Sequence, residues 1–392
     1  MGKTTPPVAS RRPHQFEYHG VTVTDPYAWL KDPHYPTVED QDVLDYLQQE
    51  NKYFEAFMAP LQPLVETLFT ELKARQVEED ESVPYEKNGW RYQWRYKKDA
   101  QYRTWYRAPA GTPEAWQVLL DETELARDHE YFRLGSLAVS PGGHRLAYST
   151  DTSGSERYTL TVIDLTDGET LVTGIENASG SAIWGSDDDF LYTRLSEEWR
   201  PYQVWHHQLG RADDQLIYEE ADTSFFVGIE LTQSEKYVLI SAGGHTHNEV
   251  YFVPRAGLTA APTLITPRRD NHEYDVDHGE DQFYIRSNRD HINFDLFTAP
   301  EDAPGIEHWQ KLISGSDDVY LTDHLKLKDH LVVQERHRGL DQIRIVSGDT
   351  EHLIPFDEPA YEADLGTNPN YDTDVLRLNY TSMVTPNTVF DY

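Results

Sequence analysis

A strand pattern that recurs about every 46 residues constrains the fold of this chain more than any other feature. Six short segments alternate between apolar and polar residues, and their equivalent apolar positions are Leu146, Phe190, Tyr237, Phe283, Leu331 and Leu376. The steps between these positions are 44, 47, 46, 48 and 45 residues. A period of this length, with several short strands in each unit, is typical of the blades of a β-propeller.

A second series of strands repeats with the same period. Its equivalent positions are Leu160, Val204, Val250, Leu296 and Ile343, with steps of 44, 46, 46 and 47 residues. Turn-rich segments such as SPGGH and WGSDD precede the strands of the first series, which indicates tight hairpins between neighbouring strands. An earlier unit, with the segments WRYQWR and TWYRAP, brings the first-series strands to seven.

The same period predicts how the propeller ends. It places the next strand of the second series near position 389, where the sequence reads TVFDY. We therefore predict a mainly β fold, a seven-bladed propeller whose last blade is incomplete because it lacks its outer strand.

The N-terminal part of the chain has a helical pattern instead. Residues 1 to about 36 are rich in proline and are predicted to be irregular. Thr37 and Asp40 then resemble a helix-capping pair. Apolar residues at helical spacing predict two helices, which are separated by Pro60 and Pro63.

The acidic segment VEEDES marks a boundary between the helical pattern and the strands. We assign residues 1–76 to a short N-terminal segment, extended and then α-helical, and residues 77–392 to the propeller. The apolar stripe of the helices needs a partner surface.

Composition narrows the classes of function. The chain has 34 Lys and Arg residues against 68 Asp and Glu residues, a formal net charge of −34. Such a surface repels nucleic acid and anionic lipid, so neither is expected as a partner. Because the acidic residues are spread along the chain, adaptation to a high-salt (halophilic) cytoplasm explains them more simply than steering of cationic peptides.

Cysteine and targeting segments are absent from the sequence. The lack of cysteine excludes disulfides, thiolate metal sites and a cysteine nucleophile in this chain. Without an apolar leader or an apolar run of membrane-spanning length, a cytoplasmic location is expected.

No catalytic motif stands out. No serine has glycine two residues before it and two after it, as a nucleophile elbow requires, and nucleotide-binding loops, H-E-x-x-H and EF-hand loops are also missing. His245, His247 and Glu249 alternate along the chain and could bind a metal, but a solvated loop leading into a strand explains them better. We therefore predict no catalytic, cofactor-binding or metal-binding residues.

One group of charged residues remains as a candidate site. Glu219, Glu220 and Asp222 cluster in the segment YEEAD at the predicted end of a blade, and Arg194 and Arg200 lie nearby in the sequence. These residues could form ion pairs across a domain interface. The alternative is that they are exposed charges that contribute little to stability.

Several segments carry a resemblance when they are taken together. They run in order from about residue 10 to the end and include TDPYAWLKD, SVPYEKNGW, LAVSPGGHRLAYSTDTSGSERYTLTVIDLTDG, FLYTRLSEEWRPYQVWHHQLG and VLRLNYTSMVTPNTVFDY. In this combination the chain resembles the N-terminal part of the prolyl oligopeptidase family, in its oligopeptidase B branch. The resemblance implies a two-domain serine peptidase in which a seven-bladed propeller caps an α/β-hydrolase domain and restricts access to short peptides.

The resemblance also implies what this chain lacks. In the family the Ser, Asp and His of the triad follow the propeller, and the oligopeptidase B branch cleaves after Arg or Lys. The expected partners are therefore short basic peptides and a missing C-terminal hydrolase domain, on which the N-terminal helices would pack. The chain alone is expected to be inactive and to need no cofactor.

Two other functions stay open at this point. One is a non-enzymatic propeller that serves as a binding scaffold, although an unpaired edge strand in the last blade argues against it. The other is a propeller enzyme with a metal-dependent site in its central channel.

Overall fold

The computed structural model describes residues 5–35 and 37–392, which divide into two compact units, Met1–Val77 and Glu78–Tyr392. The smaller unit contains one β-hairpin and two helices. Its elements are β1 His14–Tyr18, β2 Val21–Asp25, α1 Gln41–Met58 and α2 Gln62–Lys73.

The hairpin corrects the prediction that the chain is irregular up to residue 36. Strands β1 and β2 pair antiparallel from His14 to Asp25. His19 and Gly20 form the turn and both have positive φ, as tight two-residue hairpin turns require. The prediction was wrong because the prolines lie outside these two short strands.

Helix α1 begins directly after Asp40, whose side chain accepts hydrogen bonds from the backbone N–H groups of Asp42 and Val43. Asp40 is therefore the N-cap itself, and not the second member of a capping pair that starts at Thr37. Helix α1 ends at Met58, and Pro63 lies in the first turn of α2, where proline is tolerated.

The larger unit contains six antiparallel sheets, numbered here in chain order. Sheet 1 consists of β3 Tyr85–Lys87, β4 Trp90–Arg95, β5 Thr104–Pro109 and β6 Gln117–Asp121, and it is followed by the short helix α3 Glu122–Ala126. Sheet 2 consists of β7 Arg133–Val139, β8 Arg145–Asp151, β9 Tyr158–Asp164, β10 Thr170–Trp184, β11 Asp189–Leu195, β12 Pro201–Gln208 and β13 Gln215–Glu219.

Sheets 3 to 6 are smaller. Sheet 3 consists of β14 Phe226–Leu231, β15 Tyr237–Gly243, β16 Asn248–Pro254 and β17 Thr263–Leu264. Sheet 4 consists of β18 Tyr274–Gly279, β19 Gln282–Ser287, β20 Asp295–Pro300 and β21 Gln310–Ile313. Sheet 5 consists of β22 Val319–Lys326, β23 Leu331–His337, β24 Leu340–Ser347 and β25 Thr350–Leu353. Sheet 6 consists of β26 Tyr361–Leu365, β27 Arg377–Ser382 and β28 Thr388–Asp391.

Neighbouring strands in every sheet follow one another in the sequence, which is the up-and-down arrangement of β-propeller blades. Sheet 2 departs from the four-stranded pattern. Its long strand β10 pairs with β9 from Thr170 to Ala178 and with β11 from Ala178 to Trp184. The predicted number of seven separate blades is therefore not confirmed by the sheets.

The residues that recur with the period of the sequence are buried in the structure. All eleven repeat positions are at most 8% exposed: Leu146, Leu160, Phe190, Val204, Tyr237, Val250, Phe283, Leu296, Leu331, Ile343 and Leu376. The strand predicted near position 389 is β28, which pairs with β27. These apolar side chains form clusters that join each sheet to the next, as Phe283 and Phe252 do between sheets 4 and 3.

Two hydrogen bonds connect the last sheet, and the loop before its second strand, to the first sheet. The Asn370 side chain donates to the Glu86 carbonyl at 2.9 Å, and the Arg377 guanidinium donates to the Pro84 carbonyl at 2.8 Å. The six sheets thus form a closed ring, and the contact between its two ends is polar.

The first strand of each sheet lies nearest the axis of this ring. Lys87, on β3, forms an ion pair with Glu235 of sheet 3 at 2.9 Å, although sheets 1 and 3 are not neighbours in the ring. The loop 366–376 crosses the same end of the ring. It accepts hydrogen bonds from the Gln233 side chain of sheet 3 (2.9 Å) and from the backbone of Lys328 of sheet 5 (2.9 Å).

Candidate functional site: an acidic wall of the channel

Four acidic residues lie on the first strands of three successive sheets. Glu230 is on β14, Asp275 and Asp277 are on β18, and Asp323 is on β22. Glu230 and Asp323 are exposed, and the other two are half-buried. We call these four residues the acidic wall, because the strands that carry them line the central channel.

Asp275 is held between two basic groups. One of its carboxylate oxygens lies 2.6 Å from the Arg286 guanidinium, and the other lies 3.2 Å from Nδ1 of His324. Arg286 also donates a hydrogen bond to the Leu321 carbonyl at 2.9 Å. These contacts join sheets 4 and 5 at the channel.

His324 is buried, and its ring is oriented by the backbone. Its side chain is 3% exposed, and Nε2 lies 3.2 Å from the Tyr284 carbonyl oxygen. The neighbouring Asp323 carboxylate accepts a hydrogen bond from the His324 backbone N–H at 2.7 Å. Adjacent strand residues normally point to opposite sides, but here this hydrogen bond and a bulge at Thr322 bring them together.

Asp277 has a structural role within the wall. Its carboxylate accepts backbone N–H hydrogen bonds from Gln233 (2.8 Å), His278 (2.7 Å) and Lys326 (3.1 Å). Because Gln233 lies in the turn between the first two strands of sheet 3 and Lys326 is on sheet 5, this one carboxylate links three sheets.

Burial and neighbouring charges shift the pKa values of the groups at the wall in opposite directions. Desolvation, reinforced by the charges of Asp277, Asp275 and Asp323, raises the pKa of Glu230. Desolvation also raises the pKa of Asp323. Burial acts in the same direction on Asp275, but His324 and Arg286 outweigh it and lower the pKa of that carboxyl. Burial disfavours the charged form of His324, but the nearby Asp275 carboxylate more than compensates and raises the pKa of the imidazole.

A cavity next to the first sheet has a different chemistry. This cavity of about 320 Å³ is lined by residues of sheets 1, 2, 3 and 6, among them Tyr85, Tyr92, Trp184 and Leu137. Lys87 and Arg255 also line this cavity, and both form ion pairs with Glu235. The lining of this cavity is therefore a mixture of aromatic, apolar and basic side chains, in contrast to the acidic wall.

Of the charged residues predicted as a site, Glu220 has the most buried environment. Its carboxylate lies 2.7 Å from the Arg268 guanidinium, which also lies 3.0 Å from the buried carboxylate of Glu249. Glu220 and Glu249 are 3% and 6% exposed, and Arg268 packs over the ring of Phe225. For Glu220 the alternative of an exposed charge is therefore wrong.

The other predicted residues are placed separately. Arg200 donates hydrogen bonds to the backbone carbonyls of Glu220, Asp222 and Phe225 at 2.9–3.3 Å, so it holds the loop between sheets 2 and 3 without pairing with a carboxylate. Arg194 lies 3.5 Å from Asp214. Glu219 accepts a hydrogen bond from Gln203, and Asp222 accepts one from the Ser224 backbone. Ion pairs across a domain interface stay a prediction.

The possible metal ligands of the sequence are also separated. Glu249 is paired with Arg268, and the His247 ring packs edge-on against Phe225. Among the described residues, the group whose potential ligand atoms converge is Asp275, Asp323 and His324. Sequence reasoning missed this group because its members lie 48 residues apart, although Glu230, Asp277 and Asp323 follow the 46-residue period of the repeat.

Comparison with known proteins decides the family. The sequence matches the family described as prolyl oligopeptidase, N-terminal beta-propeller domain, over residues 6–392. This chain belongs to that family. It is 34% identical to dipeptidyl aminopeptidase BI of Pseudoxanthomonas mexicana, over 99% of this chain and 56% of the relative. It is 32% identical to Protease 2 of Moraxella lacunata, over 98% of this chain and 56% of the relative.

Solved structures of the family show the same fold. Oligopeptidase B from Trypanosoma brucei with covalently bound antipain, in its closed form, superimposes with a TM-score of 0.90 at 27% identity, over 99% of this chain and 58% of that chain. Oligopeptidase B from Leishmania major gives a TM-score of 0.92 at 24% identity, over 99% of this chain and 59% of that chain.

This family member thus spans a little over half the length of the relatives that it matches. Among the described residues, no helix is both long and apolar enough to cross a bilayer. The cytoplasmic location stays a prediction.

Proposed function

We propose that this propeller is the gating portion of an oligopeptidase B-like serine peptidase that hydrolyses short peptides after Arg or Lys. The catalytic triad would belong to an α/β-hydrolase domain that follows the propeller in the sequence, and the 392-residue chain by itself would be inactive. The observation that carries the proposal is the acidic wall, in a chain whose family is that of prolyl oligopeptidase propellers.

The physical argument starts from the charge of the channel. Glu230 and Asp323 are exposed carboxylates on the first strands of sheets 3 and 5, and desolvation, reinforced by the charges of nearby carboxylates, raises the pKa of each. A cationic side chain that approaches them relieves this repulsion, whereas an anionic one increases it. The wall therefore favours peptides that contain Arg or Lys.

The division of the chain supports the same function. Seven blades follow if sheet 2 is counted as two blades that share the long strand β10, and this is the number that we propose.

In the smaller unit, Leu64, Leu68 and Leu72 share an exposed stripe at helical spacing on α2. We propose that this stripe packs on the hydrolase domain, and that Arg194 or Glu219 contributes ion pairs to that interface.

The experiment measures binding and hydrolysis separately. The purified chain is mixed with a fluorescently labelled pentapeptide that carries one central Arg, and with the same peptide carrying Gln instead. We expect the Arg peptide to bind at least about threefold more tightly at low salt, with the preference shrinking as salt screens the charges. Neither peptide should be cleaved.

A pair of variants ties the binding to the wall. Glu230→Gln should reduce the preference for the Arg peptide, whereas Asp302→Asn, which neutralises an exposed acid in the loop after β20, should leave it unchanged. Cleavage of the Arg peptide by the chain alone would refute the assignment of catalysis to a following domain. Equal binding of the two peptides would refute the role of the acidic wall.

A further inference from the structure

The cluster of Asp275, Asp323 and His324 is a second feature of the channel, and it does not depend on peptidase activity. Its three side chains offer two carboxylates and one imidazole, and the potential ligand atoms all lie within 4.8 Å of one another. Asp275 is on β18, whereas Asp323 and His324 are on β22, so the cluster spans two sheets.

The hydrogen bonding of His324 identifies which ring nitrogen is available. Nε2 faces the Tyr284 carbonyl oxygen at 3.2 Å, and a carbonyl can only accept, so Nε2 carries the proton in the neutral ring. In the neutral ring Nδ1 therefore holds a lone pair, whereas in the charged ring it holds a proton that faces Asp275. It is buried, and among the described residues it has no hydrogen-bond partner.

This lone pair faces a second electron-rich atom. The Nδ1 atom of His324 and a carboxylate oxygen of Asp275 are 3.2 Å apart, but their geometry does not make a hydrogen bond. Two lone pairs at this distance repel each other unless a proton or a metal ion lies between them. Ligand atoms about 2.0–2.1 Å from a tetrahedral ion are themselves about 3.3 Å apart, which is close to the observed spacing.

From this geometry we propose that Asp275, Asp323 and His324 bind one divalent transition-metal ion, of the type of zinc or manganese, at the channel wall. Imidazole and carboxylate ligands together suit these ions. The Tyr284 carbonyl supplies the outer contact that commonly orients a metal-bound histidine.

The surrounding charges favour a cation in spite of Arg286. Its guanidinium binds the other oxygen of Asp275 at 2.6 Å, and its charge opposes an incoming ion. Glu230 and Asp277 lie on the same wall and offset that charge. A cavity of about 220 Å³ adjoins Asp275 and Arg286, so solvent space lies next to one of the three ligands.

The ion would link sheet 4 to sheet 5. Those sheets already meet through the contacts of Asp275 with His324, and a bound ion would replace this contact by coordinate bonds across the same gap. Binding to the folded state alone raises the stability of that state by mass action.

The test uses the full 392-residue chain after treatment with a chelator and gel filtration. Zn²⁺ is titrated by calorimetry, and Co²⁺ is titrated by visible absorption, which reports tetrahedral coordination with a nitrogen ligand. We expect one ion per chain and a rise in the melting temperature on addition of Zn²⁺.

Two variants locate the site. Asp323→Asn removes an exposed ligand and should fold normally, and it should weaken binding at least about tenfold. His245→Gln is the matched control, because the chain has 17 histidines and an exposed one outside the cluster could bind metal adventitiously. A variant Asp323→Asn that binds as tightly as the wild type, or a wild type that binds no ion, would overturn the proposal.

Discussion

The helical unit and the propeller differ in how much apolar surface each buries. Val43 is the one apolar side chain that is buried on helices α1 and α2, whereas Phe54 and Phe69 are 61% and 66% exposed. In the propeller, Phe190 and Phe283 are fully buried. The propeller therefore has its own core, and the helices have an apolar stripe whose stability benefit depends on a partner.

The largest expected effect is on the core of the propeller. Phe283→Ala should lower the free energy of unfolding by about 3–5 kcal/mol, because it removes a fully buried ring and leaves a cavity. The matched change Phe54→Ala on α1 should cost less than about 0.5 kcal/mol, since that ring is exposed. Urea denaturation followed by tryptophan fluorescence measures both. Similar costs for the two variants would contradict the contrast between the units.

The next largest loss of stability is expected for a buried ion pair of the propeller, in contrast to an exposed ion pair of the helical unit. Arg268→Met should lower the free energy of unfolding by about 3 kcal/mol, because it leaves the buried carboxylates of Glu220 and Glu249 without a counter-charge. Arg12 pairs with Asp42 at 2.8 Å in the helical unit, where both side chains are about half exposed. Arg12→Met should therefore cost less than about 1 kcal/mol. The same urea experiment separates the two variants, and a small loss for Arg268→Met would show that water reaches the pair.

These contrasts explain which parts of the molecule the sequence predicted. The period of positions such as Leu146 and Phe190 predicted buried strands, because each repeat buries the same side of the same strand. Strand β10 was not resolved by the period, because it continues through two repeats without a turn. The hairpin of β1 and β2 was missed because prolines flank its two short strands, although Phe16 and Tyr18, like Val21 and Val23, alternate with polar residues along them.

The site was harder to predict than the fold. The YEEAD segment drew attention because its charges are adjacent in the sequence, yet the partner of Glu220 is Arg268, 48 residues away. The acidic wall likewise takes its carboxylates from three different repeats. In a ring of repeats, residues that share a phase of the period meet in space, so phase is a better guide to such sites than local clustering.

A smaller effect depends on pH and concerns the acidic wall. The raised pKa of Glu230 means that its charged form destabilises the folded state above that pKa, and that this penalty is absent below the ordinary carboxyl range. Glu230→Gln should therefore be slightly more stable than the wild type at pH 7, by less than about 1 kcal/mol, because the residue is exposed. The difference should disappear near pH 4.

Thermal unfolding between pH 4 and pH 8 measures this difference. Asp302→Asn is the control, because it removes an exposed carboxylate that lies in a loop outside the wall. A variant Glu230→Gln that is less stable than the wild type at pH 7 would show that Glu230 has a favourable partner.

The smallest effect is expected in the helical unit and has the opposite sign. The Asp32 carboxylate accepts backbone hydrogen bonds from His34, Glu39 and Asp40, each at 2.7 Å, and these bonds lower its pKa to about 2. A lowered pKa contributes stability that is present above the ordinary value of 3.8 and is lost as the pH falls towards 2. The start of α1 should loosen in that window, and the helical circular dichroism of the wild type should fall there by a small amount. Asp32→Asn should lack this step, whereas Asp45→Asn, a change at an exposed position on α1, should retain it. If both variants retain the step, a group other than Asp32 causes the start of α1 to loosen in acid.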